Sequence, residues 1–394
     1  MKKLLGLLAL TVAISGVASA DQDVLKNIKV VNEARIYSQD IDKNDTQSNE
    51  IGNAGFKKEN LTGVKWRKLV NGSLSLNDEW GLDLNFKVQH DNYAERGVTS
   101  LGTDGKPVKG ADGKYKYGKS GIKEAWETNL ELAKPVNIGA LETETVFGWT
   151  HKSGRTKLKE ISQYAVEPST KGKYFTTGES NELYFGPTFG VSVLGQNIST
   201  TLRAIYFATN GGKDADYVYK GKDFVRGKTE GYGINADFAT DGKIFEGGAG
   251  SLGYYVGLNH HFRDGGGKLK PTPQSPVSKE AKSSVYLDYV VGATYTTPSL
   301  AGFYGQLNVE NEWEKHTAKD GYNNTFSLWT NLGYKVGIDT PIGEISINPY
   351  VKYKPLERAT EKDHNNKELK ENGYRKTTET NELRAGLGIG LTVK

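Results

Sequence analysis

The chain has 394 residues, no cysteine and a formal charge of +4. Without cysteine there is no disulfide framework and no thiolate metal site. So small a net charge also gives no indication of a nucleic-acid partner.

Residues 1–20 read as an export signal. Lys2 and Lys3 give a positive start, Leu4 to Val17 an apolar middle, and Ala18-Ser19-Ala20 a small-residue cleavage site. Its removal takes away two lysines and no acid, so +4 becomes +2. Beyond it, no apolar run approaches the roughly 20 residues of a membrane-spanning helix. The only linker-like stretch, Pro271-Thr-Pro-Gln-Ser-Pro276, is short, so residues 21–394 are expected to form one domain.

Fourteen strands are expected, near 27–37, 59–69, 79–90, 123–134, 140–151, 181–193, 198–208, 229–238, 252–262, 284–296, 303–313, 325–338, 344–353 and 380–393. The third shows the unit. Trp80, Leu82, Leu84, Phe86 and Val88 fall on one face, and Glu79, Asp83, Asn85, Lys87 and Gln89 on the other. In the seventh, Arg203 should point to the polar side, which takes Ile205 and Phe207 with it.

Short connections carry turn chemistry: Asn71-Gly72, Pro135-Val-Asn-Ile-Gly139, Pro298-Ser-Leu-Ala-Gly302 and Pro341-Ile-Gly343. The connection 239–251 is longer. Between them fall seven long polar connections, about 38–58, 91–122, 152–180, 209–228, 263–283, 314–324 and 354–379. Long and short alternate along the chain, as in a closed antiparallel transmembrane β-barrel with short periplasmic turns and long extracellular loops.

A soluble sandwich also alternates, so periodicity alone does not choose. Three features favour lipid on the apolar side. Trp80, Trp126, Trp149, Tyr295, Phe303, Trp313 and Tyr353 gather toward strand ends, as interfacial rings do. Faces such as Leu183, Phe185, Pro187, Phe189, Val191, Val193 and Leu383, Ala385, Leu387, Ile389, Leu391, Val393 carry no charge, where a mid-depth lysine or arginine costs about 2–4 kcal/mol. Pro187 needs a bulge or an unpaired position. The opposite faces hold same-face pairs such as Glu142/Glu144, Glu310/Glu312 and Lys65/Arg67, compatible with a wet lumen.

The alternating strands, the Ala18-Ser19-Ala20 signal end and the terminal strand Leu383 to Val393 resemble Gram-negative outer-membrane general porins. The Lys-rich loops are similar in style to those of fusobacterial major outer-membrane porins. The resemblance implies an outer-membrane location, contact with lipid, passage of small hydrophilic solutes and ions, and a homo-oligomer, a trimer in general porins. The ending Leu391-Thr392-Val393-Lys394 departs from the aromatic C-terminal residue common in such families, which puts that assembly signal in doubt. No plug is expected before the first strand and no anchoring domain after the last.

In a pore the chemistry is the field within it. Assigning faces puts Lys29, Arg35, Lys65, Arg67, Lys87, Lys335, Lys352 and Arg384 in the lumen on adjoining strands, partly offset by Glu33, Asp83, Glu344 and Glu382. Glu127, Glu131, Glu142, Glu144 and Glu182, with Lys123, line strands four to six. Acidic and basic walls are expected to face each other and orient polar solutes; the alternative is that these charges only keep the lumen wet. The third long loop carries Arg155, Lys157, Lys159, Glu160 and Glu167. By resemblance to general porins it is the candidate to fold inward and narrow the pore; the alternative is a solvated surface loop.

No enzyme, cofactor or metal is expected. Asp104-Gly-Lys, Asp112-Gly-Lys and Asp241-Gly-Lys lack the alternating ligands of a calcium loop and read as turns. His260 and His261 point opposite ways in a strand. The expected function is a diffusion porin. A selective sugar or oligosaccharide channel, with inward Tyr184, Tyr286, Tyr304, Trp329 and Tyr350 as a stacking slide, and a barrel-displayed surface adhesin are the alternatives.

Overall fold

The computed structural model describes residues 25–43, 63–77, 79–98, 117–138, 141–157, 174–210, 224–271, 279–280, 283–316, 322–362, 370–371, 374–375 and 377–393, with side chains over a somewhat narrower set. The export signal and most of the tip of the third long loop lie outside these residues.

Fourteen strands make the wall. They are β1 Leu25–Lys43, β2 Gly63–Asn77, β3 Leu82–Val98, β4 Tyr117–Ile138, β5 Leu141–Lys157, β6 Tyr174–Val193 and β7 Gln196–Asn210. The other half is β8 Phe224–Gly247, β9 Gly250–Pro271, β10 Ser284–Thr296, β11 Phe303–His316, β12 Tyr322–Tyr334, β13 Gly343–Lys362 and β14 Thr377–Val393. Val336–Thr340 prolongs β12 along β13. Each strand pairs antiparallel with its neighbours in sequence, and β14 returns to β1, with Arg35 opposite Gly386 and Ala34 opposite Leu387. The sheet therefore closes on itself and leaves no long unpaired edge.

The sandwich alternative fails on packing. Packed sheets sit about 10 Å apart. Fourteen strands at about 4.8 Å spacing, tilted roughly 40°, close into a ring about 28 Å across. Opposite walls cannot interdigitate over that gap. Accordingly Ile28, Ala133, Val146 and Ile205 are the only buried apolar side chains among the described residues. Large apolar side chains are instead exposed around the outside, Phe147, Phe185, Val88, Leu130 and Ile389 among them.

That outer belt has a measurable height. Phe303 and Trp313 both point outward on β11, near its two ends. Ten residues at about 3.3 Å rise and roughly 40° tilt span about 25 Å, the thickness of a barrel's lipid-facing band. Trp80 and Phe303 lie at the turn end of the wall, and Trp66, Trp126, Trp313 and Tyr353 toward the loop end.

Three expectations about local structure need correction. Asn71-Gly72 is not a turn; both residues sit inside β2, opposite Lys87 and Phe86. Gly72 serves close packing, since a Cβ there would crowd Ile28 and Phe86. The β2–β3 reversal includes residues 79–81, where Gly81 takes the positive φ of 61°. Pro135 likewise lies within β4, opposite Glu144, and the connection follows Ile138. The long connection 239–251 is mostly ladder: β8 and β9 stay paired out to Gly247 and Gly250.

The strands also outrun their expected ends on the loop side. Residues 91–98, 152–157, 263–271 and 354–362 were expected in loops and are strand. Above the membrane both faces are wet, so the ladder continues after the apolar alternation has stopped. Pro187 occupies a gap in the β6–β7 ladder, between the pairs Phe185–Ala204 and Thr188–Thr201.

Candidate functional site: the charged lumen

The lumen is built by alternation. Each strand sends every second residue inward, and register places those residues in rows around the ring. One row runs Lys29, Asn71, Lys87, Asn129, Thr150 and Glu182. Arg35, Lys65, Arg67, Lys352 and Arg384 are on the inner face, as are Glu127, Glu131, Glu142 and Glu144. Lys335 falls on an inner position by register, at the turn end, where its N–H donates to Gly302 O at 2.8 Å. Arg203 faces inward, with Ile205 buried beside it. Its guanidinium occupies the gap left by Pro187, donating to Gly186 O and Thr188 Oγ1, both at 2.9 Å.

Arg155 and Lys157 have backbone in β5, but their side chains, and that of Lys123, are outside the described set. Lys159, Glu160 and Glu167 lie wholly outside it. The expected inward fold of that loop falls outside the described residues.

The charges form networks. On β1–β3, Asp91 accepts from Lys65 at 3.1 Å and from Arg67 at 2.9 and 3.1 Å. Arg35 pairs with Glu33. On β13–β14, buried Lys354 reaches Glu357 at 2.6 Å and Glu382 at 3.8 Å, and Arg384 binds Glu382 at 2.5 Å. A bulge in β13 opposite Leu328–Thr330 brings both Lys354 and Glu357 to the inner face. Trp329 lies among these cations: Lys352 Nζ is 4.1 Å, Lys354 Nζ 4.6 Å and Arg384 Cζ 5.3 Å from its ring centroid. On β3–β6, Lys87 pairs with Glu127 at 2.7 Å. Glu182 reaches over β7 and β8 to Arg263 at 3.3 Å and, with Phe207 and Lys152, lines a recess of about 400 Å³.

Ring order corrects the expected two-wall field. In a ring of fourteen, each strand faces the one seven places on. The basic strands β12–β3 therefore face β5–β10, so β5 and β6 lie across from them while β4 adjoins β3. A second acidic group, Asp288, Glu310, Glu312 and Glu314, lies on the inner faces of β10 and β11. The lumen thus has one basic arc flanked on each side by an acidic arc. The Glu310/Glu312 pair was visible in sequence; its place beside the basic arc required closure.

The inward tyrosines are not a free slide. Tyr184 lies over Gly148 of β5 and reaches β4, where its hydroxyl donates to Glu131 at 3.0 Å and accepts from Asn129 at 2.8 Å. Tyr350 lies over Gly386 and donates to Glu33 of β1 at 2.5 Å. Tyr304 over Gly333 reaches Asn348 at 3.2 Å, and Tyr255 over Gly292 reaches Glu310. In all four a Cβ on the glycine would overlap the ring. Each tyrosine fastens three successive strands and lies flat against the wall.

His260 and His261 do point opposite ways: His260 is 2.8 Å from the outward Tyr289 hydroxyl, and His261 is 2.8 Å from the inward Asp237. His261 has an orienting acid, but no hydroxyl nucleophile is bonded to it among the described residues.

No family model matches the chain, and no curated protein matches it in sequence. Among solved structures, a Pseudomonas aeruginosa FadL homologue aligns at 10% identity and TM-score 0.43, over 93% of this chain and 90% of that one. The Ralstonia pickettii toluene transporter TbuX aligns at 9% and 0.36, over 94% and 90%. The trimer form of OmpT, an outer membrane protein of Vibrio cholerae, aligns at 10% and 0.34, over 93% and 98%. At such identities and scores these likenesses carry nothing about the solute. The closed sheet and its apolar belt decide the class. The chain is a closed transmembrane β-barrel.

Proposed function

We propose that the barrel is a diffusion porin for small hydrophilic solutes and ions. One observation carries the reading: a ring about 28 Å across has ion-paired side chains on its inner face and only four buried apolar residues among those described, Ile28, Ala133, Val146 and Ile205. Such a wall stabilises water and polar solutes between its sides and rejects apolar ones. Three charged arcs in place of two walls still give a lateral field, directed from the basic arc toward its acidic flanks. No reaction belongs to this reading. Assembly as a homotrimer, which the porin resemblance implies, is part of it.

The test is swelling of proteoliposomes holding the full chain in solutes of graded size. Rates are expected to fall smoothly with size and to rise linearly with concentration for neutral sugars. Swelling no faster than in protein-free liposomes contradicts the reading.

A further inference from the structure

The wall between β9 and β13 contains a recess of about 450 Å³ whose chemistry is more specific than a field. Glu310 lines one part and Lys352 another, with Gln306, Asn308 and Asn331 in the same lining. Register fixes the arrangement. Gln306, Asn331 and Lys352 form one row across β11, β12 and β13, and Glu310 stands four residues further along β11. At about 3.3 Å rise and 4.8 Å strand spacing, the Cα atoms of Glu310 and Lys352 are roughly 16 Å apart. Two long side chains converging on one recess close most of that distance.

Both charges are available to a ligand. Lys352 has no ion-pair partner among the described residues; its ammonium sits over Trp329. Glu310 takes only a neutral partner, the Tyr255 hydroxyl. Between them Asn331 donates to Gln306 at 3.1 Å, but its own Oδ1 is buried without a partner. Asn331 thus adds an unfilled acceptor to the lining between the two charges.

We propose that this recess is a binding subsite for small zwitterions of the amino-acid class, with the carboxylate on Lys352, the ammonium on Glu310 and the polar side of the ligand against Asn331. The inference rests on the pore reading and adds a solute class to it. Simple anions meet Glu310 and simple cations meet Lys352, so neither gains from both ends. A sugar would need an open aromatic face, whereas Trp329 is engaged by two ammonium groups and the Tyr255 hydroxyl is bound to Glu310.

The test is single-channel recording of the full chain in planar bilayers, with glutamine, N-acetylglutamine or arabinose added. Glutamine is expected to interrupt the current at a rate that saturates with concentration, about tenfold above either control, a discrimination a paired charge typically supplies. Lys352→Gln and Glu310→Gln should each remove most of that excess in channels that still conduct. The double exchange Lys352→Glu with Glu310→Lys should restore part of it. A conducting wild-type channel that treats glutamine like arabinose overturns the subsite and leaves the pore. Unaltered glutamine interruptions in both single variants also overturn it. Absence of any conductance overturns both.

Discussion

Two clusters of cations in the lumen wall carry similar charge and live under different rules. On β1–β3, Lys65, Arg67 and Asp91 are interlocked, and Asp91 and Lys65 are buried. On β12–β14, Lys354 and Arg384 share Glu382, while Lys352 has an indole face and, among the described residues, no carboxylate. The first cluster joins β2 to β3, with both of its cations bonded to one carboxylate. The second leaves one ammonium free to act on a passing solute. Counting lumen charges therefore predicts neither stability nor selectivity; the pairing decides which residues serve which.

The strongest way to break this comparison is to remove Asp91. Asp91→Asn leaves Lys65 and Arg67 close together without their counterion, and breaking a buried pair typically costs about 3–5 kcal/mol. With lumen water able to reach Arg67, roughly 2–3 kcal/mol is expected, read as a lowered urea midpoint in detergent micelles. A variant as stable as the parent means the network holds nothing together.

A smaller effect is expected at Trp329. Trp329→Leu removes the ring from three cations, each contact worth about 0.5–2 kcal/mol. Stability should fall by about 1–2 kcal/mol, and freed ammonium groups should make the channel more anion-selective in reversal-potential measurements. No change in reversal potential means the ring does not restrain those charges.

The finest distinction is between single lysines. Lys352→Gln should shift the reversal potential toward cation selectivity by several times the shift from Lys65→Gln, because Lys65 is buried against Asp91 and Arg67 stays on that carboxylate when Lys65 is lost. Equal shifts erase the difference between the clusters.

Much of the wall was legible in the sequence because alternation is local. The inner and outer faces of β3 follow from Asp83 to Gln89, and the uncharged outer face of β14 from Leu383 to Val393. Arg203 fixed the orientation of β7, even at the expense of turning Ile205 inward. What escaped was non-local. Asp91 and Lys354 sit past the point where apolar alternation ends, so they read as loop, yet they anchor the two networks. Asn71-Gly72 has turn chemistry, but pairing on both sides of β2 and the Ile28 and Phe86 contacts keep it extended. The four tyrosine–glycine contacts join residues on different strands, as Tyr350 and Glu33 do from opposite ends of the chain. The second acidic arc was seen as a Glu310/Glu312 pair, and only the ring order places it beside the basic arc.

The central claim is that water fills the space enclosed by the ionised faces while hydrocarbon covers the greasy ones. Planar-bilayer recording of the purified, folded full chain tests it most directly. Discrete current steps that grow in proportion to salt concentration are the predicted result. A membrane-inserted, fully folded barrel that gives no steps at any salt concentration would contradict it.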